Sequence, residues 1–220
     1  MRVLVIAAHP DDETIGAGGT IARHVAEGDD VYWGIVTQGW EPMRSQEDLR
    51  LAREQVFEVQ RVLGIRDVFF CGFPTVKLNT VPYVELSSAL QRIVDQVEPE
   101  VVYTTPPSDI NLDHRLVYDS TLVATRPLQG NAVRRLMCYE IAATSRYGLP
   151  AGAPAFVPNV FVDISDYLEL KLEAMSCYKT QIHEFPHPRS LDALRLQAQE
   201  RGVGVGLQAA ECFQLVRLLI

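Results

Sequence analysis

The sequence predicts an α/β fold: a single-domain, Rossmann-like, doubly wound and mostly parallel sheet occupying residues 1–220. Three observations predict it. Short, partly β-branched apolar runs alternate with longer stretches of helical periodicity. The first run, Val3-Leu4-Val5-Ile6-Ala7, is apolar without alternation, as in a strand buried on both faces. A chain of 220 residues with 47% hydrophobic and 22% charged side chains also suffices for one sizeable core.

Val3–Ala7 is the expected central strand. Gly16, Gly18 and Gly19 lead into an amphipathic stretch through Ile21, Ala22, Val25 and Ala26, which Gly28 stops. Val31–Thr37 gives the second strand, so the chain to Thr37 reads as a βαβ unit. A helix is expected from about Ser45 to Leu63, where Leu49, Ala52, Val56, Val59 and Leu63 recur at spacings of three and four before Gly64. Val68–Cys71 is the third strand, Val84–Val97 the next helix, and Val101–Thr104 the fourth strand, ending before Pro106-Pro107. A helix from His114 to about Thr125, strand-like runs at Leu136–Ile141 and Phe156–Ile164, helices at Leu168–Gln181 and Leu191–Gln199, and a last strand around Phe213–Leu218 complete the chain. The Pro/Gly-rich stretch 147–154 reads as a surface loop overhanging a site, because the segments after it are too short for a core of their own.

Charge and composition exclude several classes. With 20 Lys+Arg against 28 Asp+Glu, the net charge is −8 at pH 7, and no Lys/Arg-rich run supplies the footprint of a nucleic-acid partner. No membrane partner is expected, since no apolar stretch reaches the roughly 20 residues that cross a bilayer. The N-terminal apolar run breaks into His9-Pro10-Asp11-Asp12-Glu13, so it reads as a strand and not as a signal peptide. Cys71, Cys138, Cys177 and Cys212 are widely spaced, as free thiols of a reducing cytoplasm are, and a cytoplasmic location is expected. The oligomeric state is open, a homo-oligomer being among the options.

Ligands of open α/β sheets sit beyond the carboxyl ends of the strands, and the first strand delivers His9–Glu13 there. Three adjacent carboxylates repel one another unless positive charge sits between them; a divalent metal resolves that conflict. His9 and Asp12 are three apart, so a turn leading into a helix aims both at one point. Taken alone, the string reads better as a solvated acidic turn with Asp11 or Asp12 capping the following helix. The second cluster, Ser108-Asp109-Ile110-Asn111-Leu112-Asp113-His114-Arg115, shifts the balance, because it leaves the same edge of the sheet. A His/Asp/His set assembled from two strand ends has the three-ligand, one-open-position pattern of catalytic zinc, whereas structural zinc normally uses cysteines and closes all four positions.

Ala8-His9-Pro10-Asp11-Asp12-Glu13 ending the first strand, with an Asp-His pair after a later strand, resembles the LmbE-like, or PIG-L, family of zinc-dependent N-acetylglucosaminyl deacetylases. The resemblance spans most of the chain, including Arg53-Glu54 on a helix ending in Leu63-Gly64, the run 109–115, Tyr178-Lys179-Thr180-Gln181, Arg201-Gly202 and Ala210-Glu211. It implies an LmbE-like fold, Zn2+ as cofactor, His9, Asp12 and His114 as its ligands, Asp11 as general base and Glu13 as a supporting residue. The implied partner is a small sugar-containing substrate, with Arg53 and Asp113 as candidate substrate-binding residues and Arg50 as an equal alternative to Arg53. The implied reaction removes the N-acetyl group of an N-acetylglucosamine-type conjugate: zinc-activated water attacks the amide and Asp11 takes its proton.

Where many members of that family carry His-Pro-Asp-His, this chain has Asn111 at the first position. An Asn side chain donates a hydrogen bond to an oxyanion but delivers no proton. Asp11 acting first as base and then as acid is the preferred answer, with His183 and His187 as alternatives. His187 is the better of the two, because Arg189 and the prolines around it would hold its loop. Trp40 and Tyr147 are candidate sugar-stacking platforms, against the plainer reading of packed loop aromatics. Gly16, Gly18 and Gly19 do not follow GxGxxG spacing and are read as helix-packing residues. Two rival functions stand beside the deacetylase: an Mg2+-dependent phosphate-ester hydrolase on Asp11, Asp12 and Glu13, disfavoured by the two imidazoles, and a non-catalytic sugar- or nucleotide-binding module, suggested by Asn111.

Overall fold

The computed structural model describes residues 1–128, 130–145 and 155–220. Val3, Leu4, Val5, Ile6 and Ala7 are completely buried in β1 (Arg2–Ala7), which has a parallel partner on each side. The chain continues through α1 (Asp12–Ala26), β2 (Asp30–Gln38), α2 (Gln46–Leu63), β3 (Asp67–Pro74), α3 (Tyr83–Val97), β4 (Val101–Thr104) and α4 (Leu112–Ala124). It ends with β5 (Arg135–Tyr139), α5 (Ala142–Ser145), β6 (Val160–Asp163), α6 (Leu168–Cys177), α7 (Leu191–Val203) and β7 (Ala210–Leu218). The strands form a seven-stranded sheet in the order β3-β2-β1-β4-β5-β7-β6. Pairing is parallel from β3 through β5, and β7 is antiparallel to both β5 and β6. The fold is the expected α/β architecture with a mostly parallel sheet.

Because successive side chains of a strand face opposite ways, β1 feeds two cores. Val3 and Val5 pack with residues of α1, α2, α6 and α7. Leu4 and Ile6 pack on the other face with residues of α3 and α4. Close approach of α1 to the sheet depends on two of its glycines: a Cβ on Gly16 would lie 2.2 Å from Tyr139 Cδ2, and one on Gly19 would lie 2.8 Å from Ile164. α2 begins with a capping box between Ser45 and Asp48 and stops at Gly64 in the left-handed region.

Two elements differ from the sequence expectation. The apolar run 156–164 is strand only over Val160–Asp163, the four residues that pair with β7. The helix expected to reach Gln181 ends at Cys177, and the Tyr178 hydroxyl donates to Glu13 in the first turn of α1 at 2.5 Å. Stretch 147–154, with Tyr147, lies outside the described residues. All four cysteines are free, Cys138 and Cys212 being buried. Among the described residues no helix is long and apolar enough to cross a membrane.

The partners of β1 come from opposite directions along the chain, β2 on one side and β4 on the other. That reversal opens a crevice at the carboxyl ends of β1 and β4, where such sheets take their ligands. The turn at residues 8–11 and the loop at 105–111 meet there.

Candidate metal centre and active site

The turn after β1 is tight. Asp12 N–H donates to the His9 carbonyl at 3.3 Å, and Asp11 takes a left-handed backbone with φ 119° and ψ −29°. A non-glycine residue held there is strained, and such strain gathers at functional sites. Although Asp11 occupies the N-cap position of α1, its side chain makes no capping hydrogen bond. Glu13 supports the turn instead: one carboxylate oxygen accepts the Asp11 N–H at 3.2 Å, and the other accepts the Tyr178 and Thr14 hydroxyls at 2.5 and 3.0 Å. Burial pushes the Glu13 carboxyl up to about 7, with the Tyr178 hydrogen bond opposing.

Three donor atoms converge beyond this turn. His9 Nδ1 and His114 Nε2 are 3.1 Å apart, and Asp12 Oδ2 lies 3.3 Å from the first and 3.4 Å from the second. The outer nitrogen of each ring faces a carboxylate: His9 Nε2 meets Asp113 Oδ2 at 3.1 Å, and His114 Nδ1 meets Asp109 Oδ2 at 2.9 Å. A carboxylate only accepts, so the outer nitrogens carry protons, and in the neutral rings that bind a metal the inner nitrogens present lone pairs. Two lone pairs and a carboxylate oxygen thus face one another. Ligands held about 2.0–2.1 Å from a tetrahedral ion stand roughly 3.3–3.4 Å apart, which is the spacing found here. Asp12 Oδ1, also buried, has no hydrogen-bond partner. His9, Asp12 and His114 could therefore hold a metal ion, with Asp113 and Asp109 fixing the two rings as outer carboxylates commonly do.

The electrostatics agree. Burial works against charge on both imidazoles, yet hydrogen bonds to Asp113 and Asp12 raise His9 to about 9, while the Asp12 charge and the Asp109 hydrogen bond raise His114 to about 10. Burial would also raise Asp12, but the imidazoles, His114 foremost, outweigh it and hold Asp12 far below the usual carboxylate range. Positive charge is favoured between these groups, and a divalent ion satisfies the same field while leaving both rings neutral. Asp11 is pushed up to about 7 by burial and by the Asp12 charge, with Arg189 pulling the other way.

A cavity of about 280 Å³ opens over this centre, with His9, Asp11, Asn111, Tyr178, Arg44 and Arg189 in its wall. Asn111 caps α4, its Oδ1 accepting the Asp113 N–H at 3.0 Å, so the amide NH2 is the end left to donate. Asp113 lies behind His9, where it also accepts the N–H groups of Val76 and Leu78 at 2.6 and 3.3 Å. Val76, a cavity residue, is left-handed at φ 59°. Arg53 lies outside the main cavity wall, with its guanidinium 4.1 Å from the Phe70 ring centroid beside a smaller adjoining cavity. Arg50 is engaged by Glu47 and Glu54 on the exposed face of α2. His187 is exposed, its ring 4.0 Å from that of His183 and its Nδ1 accepting the Arg189 N–H at 3.1 Å. Trp40 donates to the Thr75 carbonyl at 3.1 Å and carries the Lys77 ammonium on its face.

The sequence alone does not mark Asp109 as the partner of His114, or Arg189 as the partner of Asp11. The first lies inside the cluster 108–115, five residues before the histidine it orients. The second comes from a segment without periodicity, and no local pattern points to it.

Comparison with known proteins agrees with this architecture. The chain is 31% identical to the 1D-myo-inositol 2-acetamido-2-deoxy-alpha-D-glucopyranoside deacetylase of Saccharomonospora viridis, over 82% of this chain and 85% of that one. It is 29% identical to the diacetylchitobiose deacetylase of Thermococcus kodakarensis, over 83% and 71% respectively. Among solved structures, the conserved protein TT1542 from Thermus thermophilus superposes with a TM-score of 0.76 at 28% identity, covering 99% of this chain and 96% of that one. The sequence model described as PIG-L, GlcNAc-PI de-N-acetylase, matches residues 4–125, more than half of the chain and the part that contains both clusters. The chain belongs to the PIG-L family.

Proposed function

We propose that this protein is a zinc-dependent hydrolase that removes the N-acetyl group from an N-acetylglucosamine-type sugar conjugate. The observation that carries the reading is the set of inward-facing donor atoms of His9, Asp12 and His114, mutually 3.1–3.4 Å apart, beside a cavity lined by His9 and Asp11. Two imidazoles in the donor set favour zinc over magnesium. The deacetylases of inositol-linked and chitobiose sugars among its relatives support the substrate class. Zinc in such a site supplies Lewis-acid polarisation of the amide carbonyl and a water acidic enough to lose its proton near neutral pH.

The remaining work falls to this chain's own side chains. Asp11 takes a proton from the attacking water as the C–O bond forms, and returns it to the amine nitrogen as the C–N bond breaks. Water and amide become acetate and a free amino sugar, with no net change in the protonation of Asp11. Asn111, with its NH2 free to donate, steadies the developing oxyanion. Asp113 and Asp109 orient His9 and His114. His187 is given no part in proton transfer, since it stands exposed outside the cavity wall.

Acetate release from a panel of N-acetylglucosamine conjugates, with zinc content measured on the same samples, tests the reading. Wild type is expected to release acetate, and Asp11→Asn to lose turnover while keeping about one zinc per chain. Release of acetate by Asp11→Asn at the wild-type rate would remove Asp11 as the base. A zinc-loaded wild type inert on the whole panel would overturn the function.

A further inference from the structure

We propose that Arg189 is a positioning residue for Asp11, an inference that rests on the deacetylase reading above. Asp11 is buried, with 1% of its surface exposed, and its left-handed backbone leaves the side chain without the hydrogen bonds an N-cap aspartate normally makes. Its Oδ2 has no hydrogen-bond partner, and Asp12 follows with a like charge. The countercharge is Arg189, whose Nη1 stands 3.3 Å from Asp11 Oδ2 and donates to Gln181 Oε1 at 3.0 Å. Among the described residues, Arg189 is the one Lys, Arg or His side chain within 4.0 Å of the Asp11 carboxylate.

The guanidinium is held in place from its own side. The Arg189 N–H donates to His187 Nδ1 at 3.1 Å, the Ser190 N–H to the His187 carbonyl at 2.9 Å, and Ser190 Oγ caps α7 by accepting the Ala193 N–H at 3.1 Å. Arg189 therefore leaves a braced turn at the start of a helix, with its side chain 26% exposed and its tip in the cavity wall. A guanidinium does not deprotonate, so Arg189 is no proton donor to the amine. What it does is fix one carboxylate oxygen of Asp11, leaving the other for proton transfer. An unheld carboxylate on a strained turn would sample orientations from which neither water nor amine is in reach.

Kinetics of zinc-loaded wild type, Arg189→Met and Arg189→Lys test this, together with thermal unfolding of Arg189→Met, Asp11→Asn and the double variant. Arg189→Met is expected to lower kcat by about 10- to 100-fold with KM nearly unchanged, and Arg189→Lys to recover part of the loss. Added guanidinium ion is expected to restore activity to Arg189→Ala, which a purely structural role would not allow. The Tm lost on Arg189→Met should shrink to less than half in the Asp11→Asn background, because the group needing the countercharge is gone. Should Arg189→Met fail to fold, Arg189→Gln serves the same comparison. Unchanged kcat, or additive Tm losses, would overturn the inference. A wild type that releases no acetate overturns the deacetylase reading instead, and the unfolding cycle still decides whether Arg189 acts through Asp11.

Discussion

His9 and His114 each have one nitrogen turned to a carboxylate and the other turned inward. That division of labour within a ring makes the outer carboxylates part of the metal centre. Asp109→Asn and Asp113→Asn should each weaken zinc binding by about 10- to 100-fold without removing a ligand. Competition against a chromogenic chelator measures this, and affinities equal to wild type would mean that the rings are held by packing alone. His9 and Asp12 are legible in the sequence because a single turn carries both. Asp113 is legible as a member of the second cluster, but its position behind His9 is not, since it depends on the 75–78 loop hanging its N–H groups on the same carboxylate. Arg189 is illegible for a stronger reason: nothing in its neighbourhood is complementary to Asp11 until the chain has folded.

At the scale of elements, the position of α1 on the sheet determines where its N-terminal turn points. Gly16 is the contact that permits this position, and Tyr139 cannot retreat easily because its hydroxyl donates to the Ile6 carbonyl at 2.8 Å. Replacing Gly16 by Ala gains about 1 kcal/mol of helix propensity, but the added methyl group overpacks a buried ring at a cost of about 1–3 kcal/mol or more. Gly16→Ala should therefore lower stability in denaturant unfolding, and a neutral or stabilising result would contradict the packing described for α1. Strands β1, β2 and β4 are legible because they are short apolar runs bounded by turn residues. The run 156–164 misleads because apolar composition marks a segment that packs, whereas pairing requires a neighbour, and of this run only Val160–Asp163 are in strand register with β7. The α6 pattern overshoots for a related reason: Tyr178 satisfies helical spacing, yet its hydroxyl reaches Glu13, and the helix stops one residue earlier.

For the molecule as a whole, the site links folding stability to protons and metal. His9 and His114 have folded-state values raised to about 9 and about 10, above the ordinary value of about 6.5. Their contribution is fully present below about 6.5 and is lost as pH rises through those folded-state values. Asp11 and Glu13, raised to about 7, act in the same direction, costing stability as pH climbs from about 4 through 7. Chelator-treated protein should thus show a Tm that falls as pH rises from about 6.5 to 10. Zinc binds the deprotonated rings, so its stabilising increment should grow over the same range. Calorimetry with and without zinc checks both, and an increment that shrinks with rising pH would contradict ligation by these imidazoles.

Ligation by one carboxylate and two imidazoles from separate strand ends is the claim on which the function rests. Anomalous diffraction at the zinc edge, from crystals grown with the metal, tests it most directly. One strong peak is expected about 2.0–2.2 Å from His9 Nδ1, His114 Nε2 and a carboxylate oxygen of Asp12. A peak at other residues, with these three atoms unligated, would contradict it.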